Sequence, residues 1–458
     1  MKKPNIVLIT VDQMRGDCMG NAGHPVVETP YLDTMAKNGV SFTKAYSAVP
    51  SCIAARCALM TGMSQERHRR KGYKDNVVFD YPNTLAGGLA DAGYHTQCVG
   101  KMHVYPTRSL MGFHNVVLHD GFLHAARGHK NEYGQQQSNI DDYFVWLKRQ
   151  KGFDADVIDT GLEANSWVAR PWIYEEQYHP TNWVVTESID FLRRRDPTKP
   201  FFLMASFVRP HSPLDPPEFY LNMYLNKEID RPKQGDWTRP VEGLMDYNDT
   251  QGVLDEVQQM RQRAAYYGCI THIDHQIGRL LQAVNDAEEL QNTVFVFTSD
   301  HGDLLGDHHL FRKALPYEGS ARVPLILYDP GDMLHLPKGS KVDKVAEMRD
   351  IMPTLFDIAG IEIPETVDGE SLLNTTGGKP WRSELIGQHE FGELSNHYIV
   401  SSHDKYLYFD RSGREQYFDM DKDPDEIHDA IHDVDYQERI ETLRSRLKQY
   451  METESPSL

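Results

Sequence analysis

The sequence predicts an α/β fold, a large and mostly parallel doubly wound sheet flanked by helices, followed by a smaller C-terminal subdomain of antiparallel strands and a helix. Three observations predict it. Continuous apolar, β-branched runs such as Asn5 to Val11 have the texture of strands buried on both faces. Those runs alternate with helical patterns, the order of a parallel sheet. Beyond about Pro364 the texture changes to short runs at hairpin spacing.

In chain order, the first strand ends at Asp12-Gln13, and Pro30 to Asn38 reads as a helix with Leu32, Met35 and Ala36 on one face. A short strand follows at Val40 to Phe42. Thr84 to Ala92 is helical and Tyr94 to Val99 a strand that leads into Gly100-Lys101-Met102-His103. Val104 to about Pro180 has poor periodicity, and it reads as substrate-facing loops. Thr181 to Arg195 returns to helix. Pro200 to Phe207 is a buried strand leading to Arg209-Pro210-His211, and a second irregular stretch runs to about Gly252. Val257 to Asn285 is a long helix, Thr293 to Thr298 a strand ending at Asp300-His301, and Val323 to Tyr328 a further strand preceded by Lys313, Glu318 and Arg322. In such sheets ligands bind beyond the carboxyl ends of the strands, where these polar residues fall. Tyr398 to Ser402, Lys405 to Asp410 and Glu415 to Asp419 are hairpin strands with Ser412-Gly413 as a turn, closed by a helix from Tyr436 to Met451. The predicted division is 1–365 for the larger α/β domain and 366–458 for the C-terminal α+β subdomain.

With 458 residues, 40% of them hydrophobic, the chain can bury a large core. A net charge of −19 argues against nucleic acid or an anionic membrane as the partner, so an anionic substrate needs a local positive pocket. No apolar run approaches the length of a membrane span. The opening run from Asn5 is too short for a signal segment and leads directly into Asp12, so this chain reads as cytoplasmic. Five scattered cysteines, Cys18, Cys52, Cys57, Cys98 and Cys269, suggest neither a disulfide scaffold nor a metal motif.

The stretch from Ala48 to Gly62 turns a loop into a short helix with Cys52 at its mouth. Pro50 and Ser51 are entry signals and Gly62 a stop. Cys52 and Arg56, four apart, share a helix face, beside N–H groups that suit a tetrahedral oxyanion. A buried packing cysteine is the plain alternative.

Cys52-Ile53-Ala54-Ala55-Arg56, followed by Leu59-Met60-Thr61-Gly62, resembles the signature of the formylglycine-dependent (type I) sulfatases of the alkaline phosphatase superfamily. Ala54 stands where most members have proline. The resemblance implies that Cys52 is oxidised to formylglycine by a maturation enzyme, and that one divalent cation, Ca²⁺ first and Mn²⁺ or Mg²⁺ next, is held by Asp12, Gln13, Cys52, Asp300 and His301. Gln13 departs from the usual second aspartate. The catalytic set it implies is Cys52, Arg56, Lys101, His103, His211 and Lys313. Hydrated formylglycine would attack sulfur, with Arg56, Lys101 and Lys313 on the sulfuryl oxygens. His211 would protonate the leaving alcohol, and His103 would take a proton so that the aldehyde reforms and sulfate departs.

The implied activity is hydrolysis of sulfate monoesters of a small substrate, either a sulfated carbohydrate or an aryl or alkyl alcohol. Two alternatives remain: a phosphonate monoester or phosphodiester hydrolase of the same superfamily, which the Lys101 and His103 pair argues against, and a binding protein with Cys52 unoxidised. Trp167, Trp172, Tyr174, His179 and Trp183 are of the kinds that stack on sugar faces, although packing is their commoner use. His389 and Glu390 are placed to reach the pocket from the C-terminal piece.

Overall fold

The computed structural model describes residues 3–121, 130, 134–240, 250–376, 379–453 and 457–458. Along the first part of the chain the strands are β1 (Asn5–Asp12), β2 (Val40–Phe42), β3 (Ala45–Tyr46), β4 (His95–Gly100), β5 (Asn115–Leu118), β6 (Phe201–Pro210), β7 (Thr293–Ser299), β8 (Leu325–Tyr328), β9 (Ser340–Val342) and β10 (Ala346–Glu347). Eight of them form one sheet in the order β5-β4-β6-β1-β7-β8-β2-β9. β5, β4, β6, β1 and β7 run parallel to one another, whereas β8 is antiparallel to both of its neighbours, β7 and β2. The predicted α/β class is therefore the observed one, with β8 the strand that breaks the parallel run.

Alternation along β1 divides the core between the two faces of the sheet. Val7, Ile9 and Val11 join the cluster under the helices Pro30–Asn38, Pro180–Arg194 and Glu256–Asp286. Ile6 and Leu8 join the cluster under Cys52–Thr61, Leu85–Asp91 and Ile351–Ala359. The 31-residue helix Glu256–Asp286 starts at a capping box in which Asp255 and Gln258 satisfy each other's backbone N–H.

The two stretches read as irregular contain regular structure. Between Val104 and Pro180 lie β5 at the sheet edge and the helix Asp142–Lys151, capped by the Asp141 side chain on the Phe144 N–H. Asn115-Val-Val-Leu118 is too short to show a period, and Asp142–Lys151 carries a weak apolar stripe because only Tyr143, Phe144 and Leu147 of it are buried. The second stretch contains the helix Glu218–Leu225. Residues 122–129, 131–133 and 241–249 of these stretches lie outside the described residues. Trp172, Trp183 and His179 are buried in the core, at 5%, 1% and 0% exposure, so they pack and offer no face to a sugar.

The C-terminal antiparallel sheet is β11 (Glu384–His389), β12 (Asn396–Ser401), β13 (Asp404–Phe409) and β14 (Arg414–Asp419), covered by the helix Gln437–Thr453. β11 was not legible as a strand because its residues, Glu-Leu-Ile-Gly-Gln-His, lack a β-branched run. The sheet docks on the larger unit through an apolar cluster that includes Tyr46, Leu304, Tyr317, Tyr398 and Phe418. A buried ion cluster lies beside it: the Lys405 ammonium donates to Glu318 (2.6 Å), to Glu426 (2.7 Å) and to the Pro316 carbonyl (3.0 Å). Burial pushes Glu426 up to about 7 despite Lys405. Removing the cation would leave two buried carboxylates facing each other. Lys405→Met is expected to cost about 3–5 kcal/mol in urea unfolding.

Candidate active site

The carboxyl ends of four adjacent strands deliver the polar residues. In sheet order β4 leads to Lys101, β6 to His211, β1 to Asp12 and β7 to Asp300, so the neighbours of the central strand converge on Asp12. The His211 N–H donates to the Asp12 carbonyl (3.0 Å) and the Asp300 N–H to the Val11 carbonyl (3.3 Å), which ties these ends together. Asp12, Cys52, Asp300 and His301 offer ligand atoms within 4.8 Å of one another, all buried. Burial and the adjacent Asp12 push the Asp300 carboxyl up. Two carboxylates, an imidazole and the atom at position 52 make a donor set that fits a divalent cation, whose charge would relieve that crowding. Gln13 lies beside them in a left-handed conformation (φ 72°). Its Oε1 accepts from Lys313 (2.7 Å), and its Nε2 donates to Asp303 (2.6 Å).

Cys52 opens a helix, Cys52–Thr61, whose ten residues are all buried. Ser51 is its extended N-cap, and Gly62, at φ 66°, ends it in the left-handed conformation the cap needs. The Cys52 Sγ lies 3.1 Å from His301 Nε2 and 3.6 Å from Asp12 Oδ1. Burial and Asp12 oppose ionisation, but Lys101, Lys313 and His301 together hold the thiol well below its usual range. Four residues on, Arg56 donates from Nε to Asp300 (2.8 Å) and from Nη1 to the Lys101 carbonyl and Ser206 Oγ (both 2.9 Å). The guanidinium thereby clamps the ends of β4, β6 and β7 beneath the cysteine.

The cations surround the same atom. Lys101 Nζ donates to Asp12 (2.5 Å), and its buried ammonium is raised because Asp12 and Cys52 outweigh desolvation and Arg56. Lys313 Nζ contacts both Gln13 and His211 Nε2, the latter at 2.9 Å. Burial and the Lys313 charge bring His211 down to about 3, so the imidazole is neutral here, with Nδ1 on the Ser212 carbonyl (2.8 Å). His103 goes the other way: burial and Lys101 oppose protonation, but the neighbouring Asp75 and Cys52 raise it. His389 reaches the site from the end of β11 and is lowered to about 3 by burial and by His301 and Lys313.

The structure thus brings all ten sequence-predicted site residues into one buried recess, and adds several that sequence reasoning missed. Asp120 accepts from the Met102 and His103 N–H groups (both 2.9 Å) and so fixes the left-handed turn at His103 (φ 56°). It follows the unrecognised β5, and the rule that polar residues gather at strand ends would have found it once that strand was seen. Ser206 and Asp303 orient Arg56 and Gln13. Arg209 and Asp215, paired at 2.6 and 2.8 Å and fully buried, close the loop that carries His211.

A family model described as Sulfatase matches residues 4–361, and one described as N-sulphoglucosamine sulphohydrolase, C-terminal, matches residues 306–453. An arylsulfatase of Clostridium perfringens is 56% identical, covering 98% of this chain and 95% of its own length. A choline-sulfatase of Rhizobium meliloti is 30% identical over 93% of this chain and 82% of its own. Among solved structures, the phosphonate monoester hydrolase of Agrobacterium radiobacter superposes with a TM-score of 0.78 at 25% identity, covering 98% of this chain and 95% of its own. With the Sulfatase model spanning most of the sequence and the 56% identity running along nearly all of it, this chain belongs to the sulfatase family.

Proposed function

We propose that this protein hydrolyses sulfate monoesters of ring-bearing alcohols, aryl or carbohydrate, at position 52. The observation that carries the reading is the set of cationic and proton-carrying groups, Lys101, Lys313, His103 and His211, gathered around Cys52 inside a molecule of net charge −19. Such a recess holds one compact anion where the rest of the surface repels it.

Oxidised to formylglycine by a maturation enzyme, position 52 supplies a hydrated aldehyde, a nucleophile that can later shed sulfate without water attacking sulfur. Asp12, Asp300, His301, position 52 and Gln13 would hold a divalent cation, Ca²⁺ by the hardness of the carboxylate and amide oxygens, which would supply positive charge at the sulfuryl oxygens. The chain's own groups do the rest. Lys101 and Lys313 neutralise the sulfuryl oxygens. When Lys313 turns to them it releases His211 Nε2, which takes up a proton from solvent and delivers it to the departing oxygen. His103, with Asp75 beside it, takes the proton from the residue 52 hydroxyl. Arg56 keeps Asp300 and the Lys101 backbone in place. Residues 1–365 would carry this chemistry, and 366–458 would close it with His389.

A panel of aryl and sugar sulfates beside matched phosphate and phosphonate esters tests the function. Sulfate monoesters are expected to have the highest kcat/KM. A preference for phosphonate monoesters, the substrates named for the Agrobacterium radiobacter neighbour, would overturn the reading. The metal has its own test: about one Ca²⁺ per chain is expected by elemental analysis. Asp300→Asn should lose it along with about 10²-fold or more of kcat, as loss of a metal ligand does.

A further inference from the structure

We propose that Tyr73 and Asp75 form the rim that receives the leaving group, and that this rim selects ring-bearing sulfates whose leaving group is neutral or cationic over those carrying a second negative charge. The inference rests on the sulfatase reading and names its substrate class.

The floor of the recess is closed: Asp12, Cys52, Asp300 and His301 are at most 2% exposed. A sulfuryl group held there must project its alcohol toward solvent. On the flank formed by His103 the next side chains outward are Tyr73, 49% exposed, and Asp75, whose side chain is 51% exposed. The Tyr73 ring stands edge-on to His103, with centroids 5.7 Å apart at 65°. Asp75 Oδ1 lies 3.8 Å from His103 Nε2.

A half-exposed aromatic ring at the mouth of a buried site offers a planar alcohol an apolar face, and a cationic one a π face. The carboxylate next to it sets the charge preference. The Lys74 ammonium, next in sequence, does not cancel Asp75, since it is turned away to the Leu458 main-chain oxygen (2.8 Å). The recess therefore changes sign outward: Lys101 and Lys313 meet the sulfuryl group, and Asp75 meets what is attached to it.

The test compares three phenyl sulfates bearing para trimethylammonium, acetyl and carboxylate groups, at low salt, on the matured protein. The variants are Asp75→Asn, Tyr73→Ala and Tyr73→Phe. For the wild type, kcat/KM should favour the cationic ring over the anionic one, and Asp75→Asn should shrink that ratio about tenfold, mainly through KM. Intrinsic leaving-group differences cancel in the comparison of variant with wild type. Any loss of His103 support lowers kcat for all three rings alike and leaves the ratio readable. Tyr73→Ala should raise KM about fivefold for every ring, and Tyr73→Phe should restore it. An unchanged cation-to-anion ratio in Asp75→Asn, or an unchanged KM in Tyr73→Ala, would overturn the proposal. If only the corresponding phenyl phosphonates were turned over, the sulfatase reading would fail, and the same three rings as phosphonates would still decide the role of the rim. Should Asp75→Asn be inactive, inhibition of the wild type by phenyltrimethylammonium and by benzoate reads the same preference; equal inhibition would contradict it.

Discussion

Cys52→Ala is expected to lower kcat/KM for any sulfate ester by about 10⁴-fold or more while leaving the fold intact. The size follows from the site's geometry. Lys101, Lys313, His103 and His211 are arranged around the atom at position 52, and with no nucleophile there they can bind the sulfuryl group but transfer it to nothing. The fold should survive because Cys52 is the first residue of an alanine-rich helix, and alanine suits that position. The variant loses one sulfur atom from the recess, so its melting temperature should stay within about 4 °C of the wild type. Thermal unfolding and circular dichroism check the fold, and turnover of 4-nitrophenyl sulfate checks the loss. A variant retaining more than a hundredth of the activity would place the nucleophile elsewhere.

His211→Ala should cost an alkyl or sugar sulfate about 10³-fold in kcat and an activated aryl sulfate far less. The reason is the leaving oxygen. A basic alkoxide cannot depart without a proton, whereas a nitrophenolate leaves nearly unaided. His211 stands on Lys313, and in the free protein that ammonium and burial keep its imidazole neutral. The anionic ester draws Lys313 to itself, which frees Nε2 for a proton. Lys101→Ala and Lys313→Ala should impair both substrates by similar factors, because they hold the group common to both. The comparison is a plot of log kcat against leaving-group basicity for each variant. A slope in His211→Ala equal to that of the wild type would remove the residue from the acid role.

Much of this was readable before any coordinates. The apolar runs at Asn5, Pro200 and Thr293 declared themselves as buried strands, and the polar residues following them lie together because parallel strands all present the same end. The Cys52 helix was legible from its stop at Gly62, which takes the left-handed cap. What could not be read had physical reasons. β5 is four residues long, and the residue it positions, Asp120, works through backbone N–H groups that leave no pattern in sequence. Trp172 and Trp183 lie in a stretch of weak periodicity or at its border, yet tertiary packing put them in the core. Arg56 shares a helix face with Cys52, and the family resemblance implies that it holds the sulfuryl oxygens. Its Nε and Nη1 bind Asp300, Ser206 and the Lys101 carbonyl, on or just beyond three strands that spacing along one helix could not reveal, while its buried Nη2 has no hydrogen-bond partner among the described residues.

The central claim is that an aldehyde at position 52 performs the reaction, and mass spectrometry of the tryptic peptide Ala45–Arg56 tests it most directly. Preparations matured to different extents should show this peptide with –CHO in place of –CH₂SH, and specific activity should rise in proportion to that fraction. Full activity in a preparation whose peptide carries only the thiol would contradict the account.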